Sequence, residues 1–180
     1  MTQDIRHYIK IICESYLAQE VPEEFITTTI KGAEFNVHWN KQKSATNKSK
    51  HGYTFDQAIS VLNDPAALVY EDEIYNEQRF RTIGQTDSLD IVSVAWSSID
   101  TGEDTLCIRI VSIRDTTAGE KALYRKTQMT TKQNESQPVL EQFELEDQPE
   151  IPADAKLVPM QVVIDRLVAK FKARKATLST

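Results

Sequence analysis

Trp39-Asn40-Lys41-Gln42-Lys43-Ser44-Ala45-Thr46-Asn47-Lys48-Ser49-Lys50-His51-Gly52-Tyr53-Thr54-Phe55 is where the chain passes from strand to helix to helix. Just upstream, Phe35, Val37 and Trp39 alternate with polar residues, the period of a half-buried strand. From His38 to His51 the only fully charged side chains are Lys41, Lys43, Lys48 and Lys50. Gly52 supplies the left-handed position at which a helix ends. Thr54 followed three residues later by Gln57 is a capping box, and Phe55, Ala58, Ile59 and Leu62 then share a helical face until Asn63-Asp64-Pro65 stops it. The stretch describes a cationic helix held between an apolar strand and an apolar helix.

Working outward, strands are expected over residues 67–70, 78–84, 91–97 and 106–113. The loops between the last three are short enough for an antiparallel meander. Thr117-Ala118-Gly119-Glu120 is a second capping box, opening a helix through about Lys126. Toward the N-terminus, Ile5, Tyr8, Ile9, Ile12 and Tyr16 have helical spacing, Thr27-Thr28-Thr29 breaks or extends the chain, and Gly32 marks a turn. Residues 127–157 are rich in Gln, Thr, Glu and Pro without a sustained period, and read as a linker or arm. Pro159 then opens a last helix with Met160, Val163, Leu167 and Phe171 on one face. The expected architecture is α+β, a four- or five-stranded, mainly antiparallel sheet packed on helices. It is divided into an N-terminal helical extension (1–32), a core (33–128), an acidic arm (129–157) and a C-terminal helix (158–180).

A length of 180 residues and a hydrophobic fraction of 40% suit one buried core. No apolar run reaches the length of a membrane span, and the amphipathic N-terminus is unlike a signal peptide, so a cytoplasmic location is expected. Cys13 and Cys107 have neither metal-ligand nor redox spacing. The net charge of −6 conceals an asymmetry. Lysines and arginines crowd residues 41–50 and 79–126, whereas residues 141–154 carry Glu141, Glu144, Glu146, Asp147, Glu150 and Asp154 with no base.

His7, His38 and His51 form no metal-binding pattern, no Gly-rich phosphate loop is present, and no Ser or Cys stands in a nucleophile turn. No metal or cofactor is expected. Arginines on strands are the remaining chemistry. Arg79 and Arg81 share a parity and a face, Arg109 projects among apolar residues, and Arg114 closes its strand. Guanidinium forks match phosphate oxygens, and two on adjacent strands can converge on one phosphate. Such a pair can stabilise the pentacoordinate transition state formed when a ribose 2′-hydroxyl attacks. The competing reading pairs these arginines with Glu77, Asp115 or Glu120 and ties the sheet to its helices. Lys50 and His51 stand at a helix C-terminus, where a cation is favoured, as phosphate ligands or acid, or simply as caps. Trp96 and Tyr124 suit either base stacking or the core.

Four blocks in order resemble BrnT, the toxin half of a bacterial type II toxin–antitoxin pair. They are the 39–55 stretch with Asp64-Pro65 after it, Glu77-Gln78-Arg79-Phe80-Arg81-Thr82-Ile83-Gly84, the apolar strand ending in Trp96, and Arg109-Ile110-Val111-Ser112-Ile113-Arg114-Asp115-Thr116-Thr117-Ala118-Gly119-Glu120 with Tyr124 beyond. The resemblance implies a RelE-like core and metal-independent endoribonuclease activity. It also implies neutralisation by a small antitoxin with a ribbon-helix-helix DNA-binding domain. Carried over by position, it implies Lys50, His51, Glu77, Arg79 and Arg114 as the catalytic set, with Lys48, Arg81, Trp96 and Arg109 on RNA. Glu120 and Tyr124 become orienting groups, and Glu77 is either an orienting group or the general base. Asp115 stands where the family often has a base, beside Arg114, and Asn40 replaces an acid. Three further readings therefore stay in view. One is an inactive module that binds an antitoxin or nucleic acid, another is a structural or oligomerising protein, and the third is self-masking by the acidic arm at 141–154.

Overall fold

The computed structural model of the chain describes residues 23–72, 79–99, 105–133, 151 and 155–178. Strands β1 (Glu23–Ile30) and β2 (Ala33–Asn40) form a hairpin, followed by helix α1 (Lys41–His51), a 3-10 turn at Phe55–Gln57 and helix α2 (Ala58–Asn63). Strands β3 (Leu68–Asp72), β4 (Arg79–Gln85), β5 (Ile91–Ile99) and β6 (Leu106–Asp115) come next. Helix α3 (Ala118–Gln133), the short strand β7 (Val158–Pro159) and helix α4 (Met160–Leu178) complete the described order. All seven strands join one sheet in the order β1-β2-β6-β5-β4-β3-β7.

The α+β class and the meander agree with the sequence: β3, β4, β5 and β6 pair antiparallel in succession. The sheet is larger than the expected four or five strands, and it is mixed, because β2 pairs parallel with β6. β1 occupies residues whose sequence reads as a break or an extended stretch, and they are extended. Its threonines are good strand formers, and an edge strand needs no continuous apolar face to declare itself. The β1–β2 turn puts Lys31 at φ 50° and Gly32 at φ 84°, the double left-handed pattern of a two-residue hairpin. β7 is too short for any periodicity, and α3 runs on to Gln133, beyond the expected end near Lys126. The helix expected near the N-terminus falls outside the described residues.

The two faces of the sheet differ. On the apolar face, Phe35, Val37, Trp39, Val94, Trp96, Ile108, Ile110 and Ile113 pack against Phe55, Val61 and Leu62. α4 adds Met160, Val163, Ile164 and Leu167 to the same core. At roughly 1.5–3 kcal/mol for each large apolar side chain buried, these four α4 residues supply a share comparable to a small domain's whole net stability. The C-terminal helix is thus a wall of the core. Among the described residues, α3 covers one end of the opposite face, where it lays Leu123 and Tyr124 on Leu68, Tyr70 and Ile83, joined by Ile151.

Both expected capping boxes form. Gln57 Oε1 accepts the Thr54 N–H at 2.8 Å. Glu120 Oε2 accepts the Thr117 N–H at 2.9 Å while Thr117 Oγ1 accepts the Glu120 N–H at 3.2 Å. Gly84 has a packing reason to lack a side chain. A Cβ there would lie 3.0 Å from Val61 Cγ1 and 3.1 Å from Asp64 Oδ2.

Candidate functional site

Arg79 and Arg81 share the partly open face of β4, as their parity requires. Arg109 and Arg114 are an odd number of residues apart and in a regular strand would point to opposite faces. They do not, because a β-bulge interrupts the β5–β6 register: Trp96 pairs with Ile110, but Ala95 pairs with Ser112. The extra residue, Val111, resets the alternation. Ile108, Ile110 and Ile113 all reach the apolar core, and Arg109 and Arg114 both join the face of Arg79 and Arg81.

One cross-strand row on this face spans six strands. It runs Phe25, His38, Arg109, Ser97, Arg79, Asp72, each residue the register partner of the next. Ser97 is fully buried between two half-buried arginines, and its hydroxyl has no hydrogen-bond partner among the described residues. The next row places Arg81 opposite Ala95 and Ser112. The middle strand thus presents small residues, Ser93, Ala95 and Ser97, with arginines on the strands to either side. At a strand spacing of about 4.8 Å, Arg79 and Arg109 are anchored roughly 10 Å apart, within converging reach of one phosphate for such long side chains.

His38 is almost wholly buried in this row. Its Nδ1 lies 3.4 Å from Glu23 Oε2 and its ring stacks on Phe25, with centroids 5.5 Å apart. Burial lowers its pKa below the ordinary value; Glu23 opposes the shift and the charge of Arg109 adds to it. The imidazole is therefore neutral near pH 7. Sequence reading singled out neither His38 nor Phe25 for this face. The parallel β2–β6 pairing that brings them beside Arg109 joins segments about seventy residues apart and leaves no local signal.

Arg114 lies about 13 Å further along the strands, in the row of Ser93. It forms a two-point fork with Glu120, Nη1 to Oε2 at 2.9 Å and Nη2 to Oε1 at 3.2 Å, and Nη1 also donates to the Asp115 carbonyl. Glu120 is fully buried. The fork joins the end of β6 to the first turn of α3, where a carboxylate is already favoured by the helix dipole. The carboxylate of Asp115, next to Arg114 in sequence, accepts the Tyr53 hydroxyl at 2.8 Å. Burial and this contact push the Tyr53 phenol up to about 12.

α1 continues beyond the end of β2 and flanks the edge of β6. Asn47 serves as a substitute strand residue there. Its Nδ2 donates to the Ile113 carbonyl at 2.7 Å and its Oδ1 accepts the Ile113 N–H at 3.3 Å. Only Ser44 and Asn47 of this helix are buried, so Lys41, Lys43, Lys48, Lys50 and His51 are all exposed. Gly52, at φ 84°, closes the helix by donating to the Lys48 carbonyl. The docking at Ile113 sets Lys48, Lys50 and His51 toward the Arg114 end of β6, away from the Arg79–Arg109 row.

Trp96 belongs to the apolar face. It is fully buried, stacks on Phe80 at 4.5 Å, and donates its indole N–H to Thr82 Oγ1 at 2.7 Å. Tyr124 is likewise buried and donates to Asp64 Oδ2 at 2.5 Å. The same oxygen accepts the Gln85 N–H, and Oδ1 accepts the Ala66 N–H. Asp64, Gly84 and Tyr124 therefore form one junction between α2, β4 and α3, which accounts structurally for three of the motif positions. Glu77 lies outside the described residues. No group of three or more His, Cys, Asp or Glu side chains able to hold a metal occurs among the described residues. A polar cavity of about 290 Å³ beside Tyr53 and Asp115 mixes Asp90 with Lys121 and Arg125, so it concentrates neither sign of charge.

No helix among the described residues is long and apolar enough to cross a membrane. No curated protein matches the chain. Residues 39–120 match the family model described as ribonuclease toxin, BrnT, of type II toxin-antitoxin system. The match begins in β2 and ends in the first turn of α3, enclosing all four sheet arginines but leaving β1, His38, β7 and α4 outside. Over residues 39–120, the chain is thus similar to the BrnT family of ribonuclease toxins of type II toxin-antitoxin systems.

Proposed function

We propose that this chain is a metal-independent endoribonuclease that holds RNA on the arginine face of its sheet and cleaves it by attack of a ribose 2′-hydroxyl on the adjacent phosphate. The 2′-oxygen forms a bond to phosphorus while the bond to the 5′-oxygen of the next nucleotide breaks. A base takes the 2′-proton and the departing 5′-oxygen gains one, giving a 2′,3′-cyclic phosphate and a 5′-hydroxyl. The observation that carries this reading is the Arg109–Ser97–Arg79 row, in which two guanidinium side chains flank a small buried residue. Fixed cations there oppose the charge that builds on the phosphate oxygens in the transition state. Arg81 extends the cationic track. Of the expected bases, Lys50 and His51 stand toward the Arg114 end of the sheet, so Glu77 and the neutral imidazole of His38 beside Arg109 are the candidates for this row. The partner implied by the family is an antitoxin, of ribbon-helix-helix type on this reading, and the setting is the cytoplasm.

The Arg114–Glu120 fork favours a second reading for its own end of the sheet, with Arg114 holding the fold. If the remaining arginines bind without cleaving, the chain is a module for antitoxin or nucleic-acid binding. The deciding experiment incubates the full chain with a defined single-stranded RNA in EDTA, beside Arg109→Ala and Arg79→Ala. Wild-type cleavage yielding cyclic phosphate ends, with about 100-fold loss in either variant, supports the enzyme. A folded wild-type chain that leaves the RNA intact supports the binding module.

A further inference from the structure

The six-residue row does not end at its arginines. Beyond Arg109 it continues through His38 to Phe25 on β1, a strand outside the stretch matched by the family model. The Phe25 and His38 rings are nearly parallel, 9° apart, so the phenyl face, the imidazole and the Arg109 side chain stand in succession across neighbouring strands. Phe25 is 48% exposed, whereas His38 beneath it is only 4% exposed. One ring face of Phe25 is thus used by His38 and the other is turned outward at the sheet edge. An aromatic so placed adds little to the core, since the face it occupies is polar on both neighbouring positions of β1, Glu23 and Thr27.

From this geometry we infer that Phe25 is a stacking platform for one unpaired nucleobase of a bound RNA strand, the phosphate of that nucleotide lying toward Arg109. Every base has a π-face, so such a platform accepts any of them and adds grip without sequence choice. Glu23 shares the face and repels phosphate from the edge, while Arg109 and Arg79 attract it inward. The charges therefore fix the nucleotide's direction, with its base outward and its phosphate inward. The inference rests on the RNA reading proposed above and gives it a subsite that the family-matched stretch does not contain.

The test uses the full chain and a short 2′-O-methyl RNA, which binds but lacks the attacking hydroxyl. Phe25→Ala and Phe25→Leu should each weaken binding about ten-fold, with the slope of affinity against salt unchanged. Phe25→Trp should keep the affinity and show quenched emission, beyond any change in the wild-type chain, when the oligonucleotide is added. Wild-type protein should bind a fully abasic strand about as weakly as Phe25→Ala binds the complete one. Arg109→Ala should instead flatten the salt dependence. Unaltered binding by Phe25→Ala, alongside a weakened Arg109→Ala, overturns the platform and leaves the RNA reading standing. Absence of salt-dependent binding by the folded wild-type chain overturns both.

Discussion

The two ends of β6 carry arginines on the same face of the sheet and put them to different uses. Arg114 is gripped by a carboxylate that solvent does not reach, at the point where β6 hands over to α3. Arg109 stands in a row with neutral Ser97 on one side and neutral His38 on the other. Residue type and strand are shared; only the surroundings differ. A guanidinium already matched by a buried carboxylate has little attraction left for a phosphate. The Arg114–Glu120 fork ties the end of β6 to α3, and the function proposed above assigns its chemistry to the other end of the strand.

The harshest way to break the comparison is to remove the platform both ends share. Deleting residues 158–180 strips Met160, Val163, Ile164 and Leu167 from the core and opens the apolar face. The truncated chain should show no cooperative transition on urea denaturation, because the lost burial rivals the whole net stability. A sharp, native-like transition would show that α4 is only an accessory.

Next in size is Arg114→Ala, which strands the buried Glu120 carboxylate. Unfolding stability should drop by about 3 kcal/mol, read from the urea midpoint at constant slope. The paired replacement Arg114→Met with Glu120→Leu should recover most of that loss. Arg109→Ala, by contrast, should move stability by less than about 1 kcal/mol while impairing RNA handling. Equal destabilisation by the two alanine variants would erase the distinction between the ends.

The smallest effect is expected from pH. The folded-state pKa of His38 lies below its ordinary value of 6.5, so the unfolded chain takes up the proton first as pH falls. The stability contributed by a neutral His38 is complete above about pH 6.5 and is lost as pH drops toward the folded value. Phe25 covers the ring, Arg109 adds a repulsive charge, and Glu23 works against both by favouring the protonated form. His38→Gln should flatten the fall in urea midpoint between about pH 7 and pH 5, and Glu23→Gln should steepen it. A wild-type midpoint unchanged by His38→Gln across that range would remove the imidazole from the electrostatics of the row.

Much of the fold was legible because local rules govern it. The two capping boxes, the Gly52 helix end and the alternation in β4, β5 and β6 are patterns within a dozen residues, and each appears where the sequence puts it. The missing pieces depend on distance. β1 has no apolar periodicity to read, and the β2–β6 pairing unites segments that only the folded chain makes neighbours. The candidate site follows the same division. The common face of Arg79 and Arg81 was readable by parity; the contribution of His38 and Phe25 was not. Trp96 and Tyr124 show why an aromatic at a motif position is ambiguous in sequence, since each keeps a polar atom satisfied while buried, one through Thr82 and the other through Asp64.

The bulge at Val111 lets an odd separation serve one face, since Arg109 and Arg114 are five residues apart and still point the same way. Deleting Val111 would leave Ser112 opposite Ala95, Ile113 in the apolar core and Arg114 on the arginine face, because the residues that remain alternate regularly. Drawing Val111 into the ladder at unchanged chain length would do the reverse, turning Ile113 to the polar face and Arg114 toward Val94 and Trp96. Chain length at this point acts as a phase, and the bulge absorbs the one residue by which β6 is out of step.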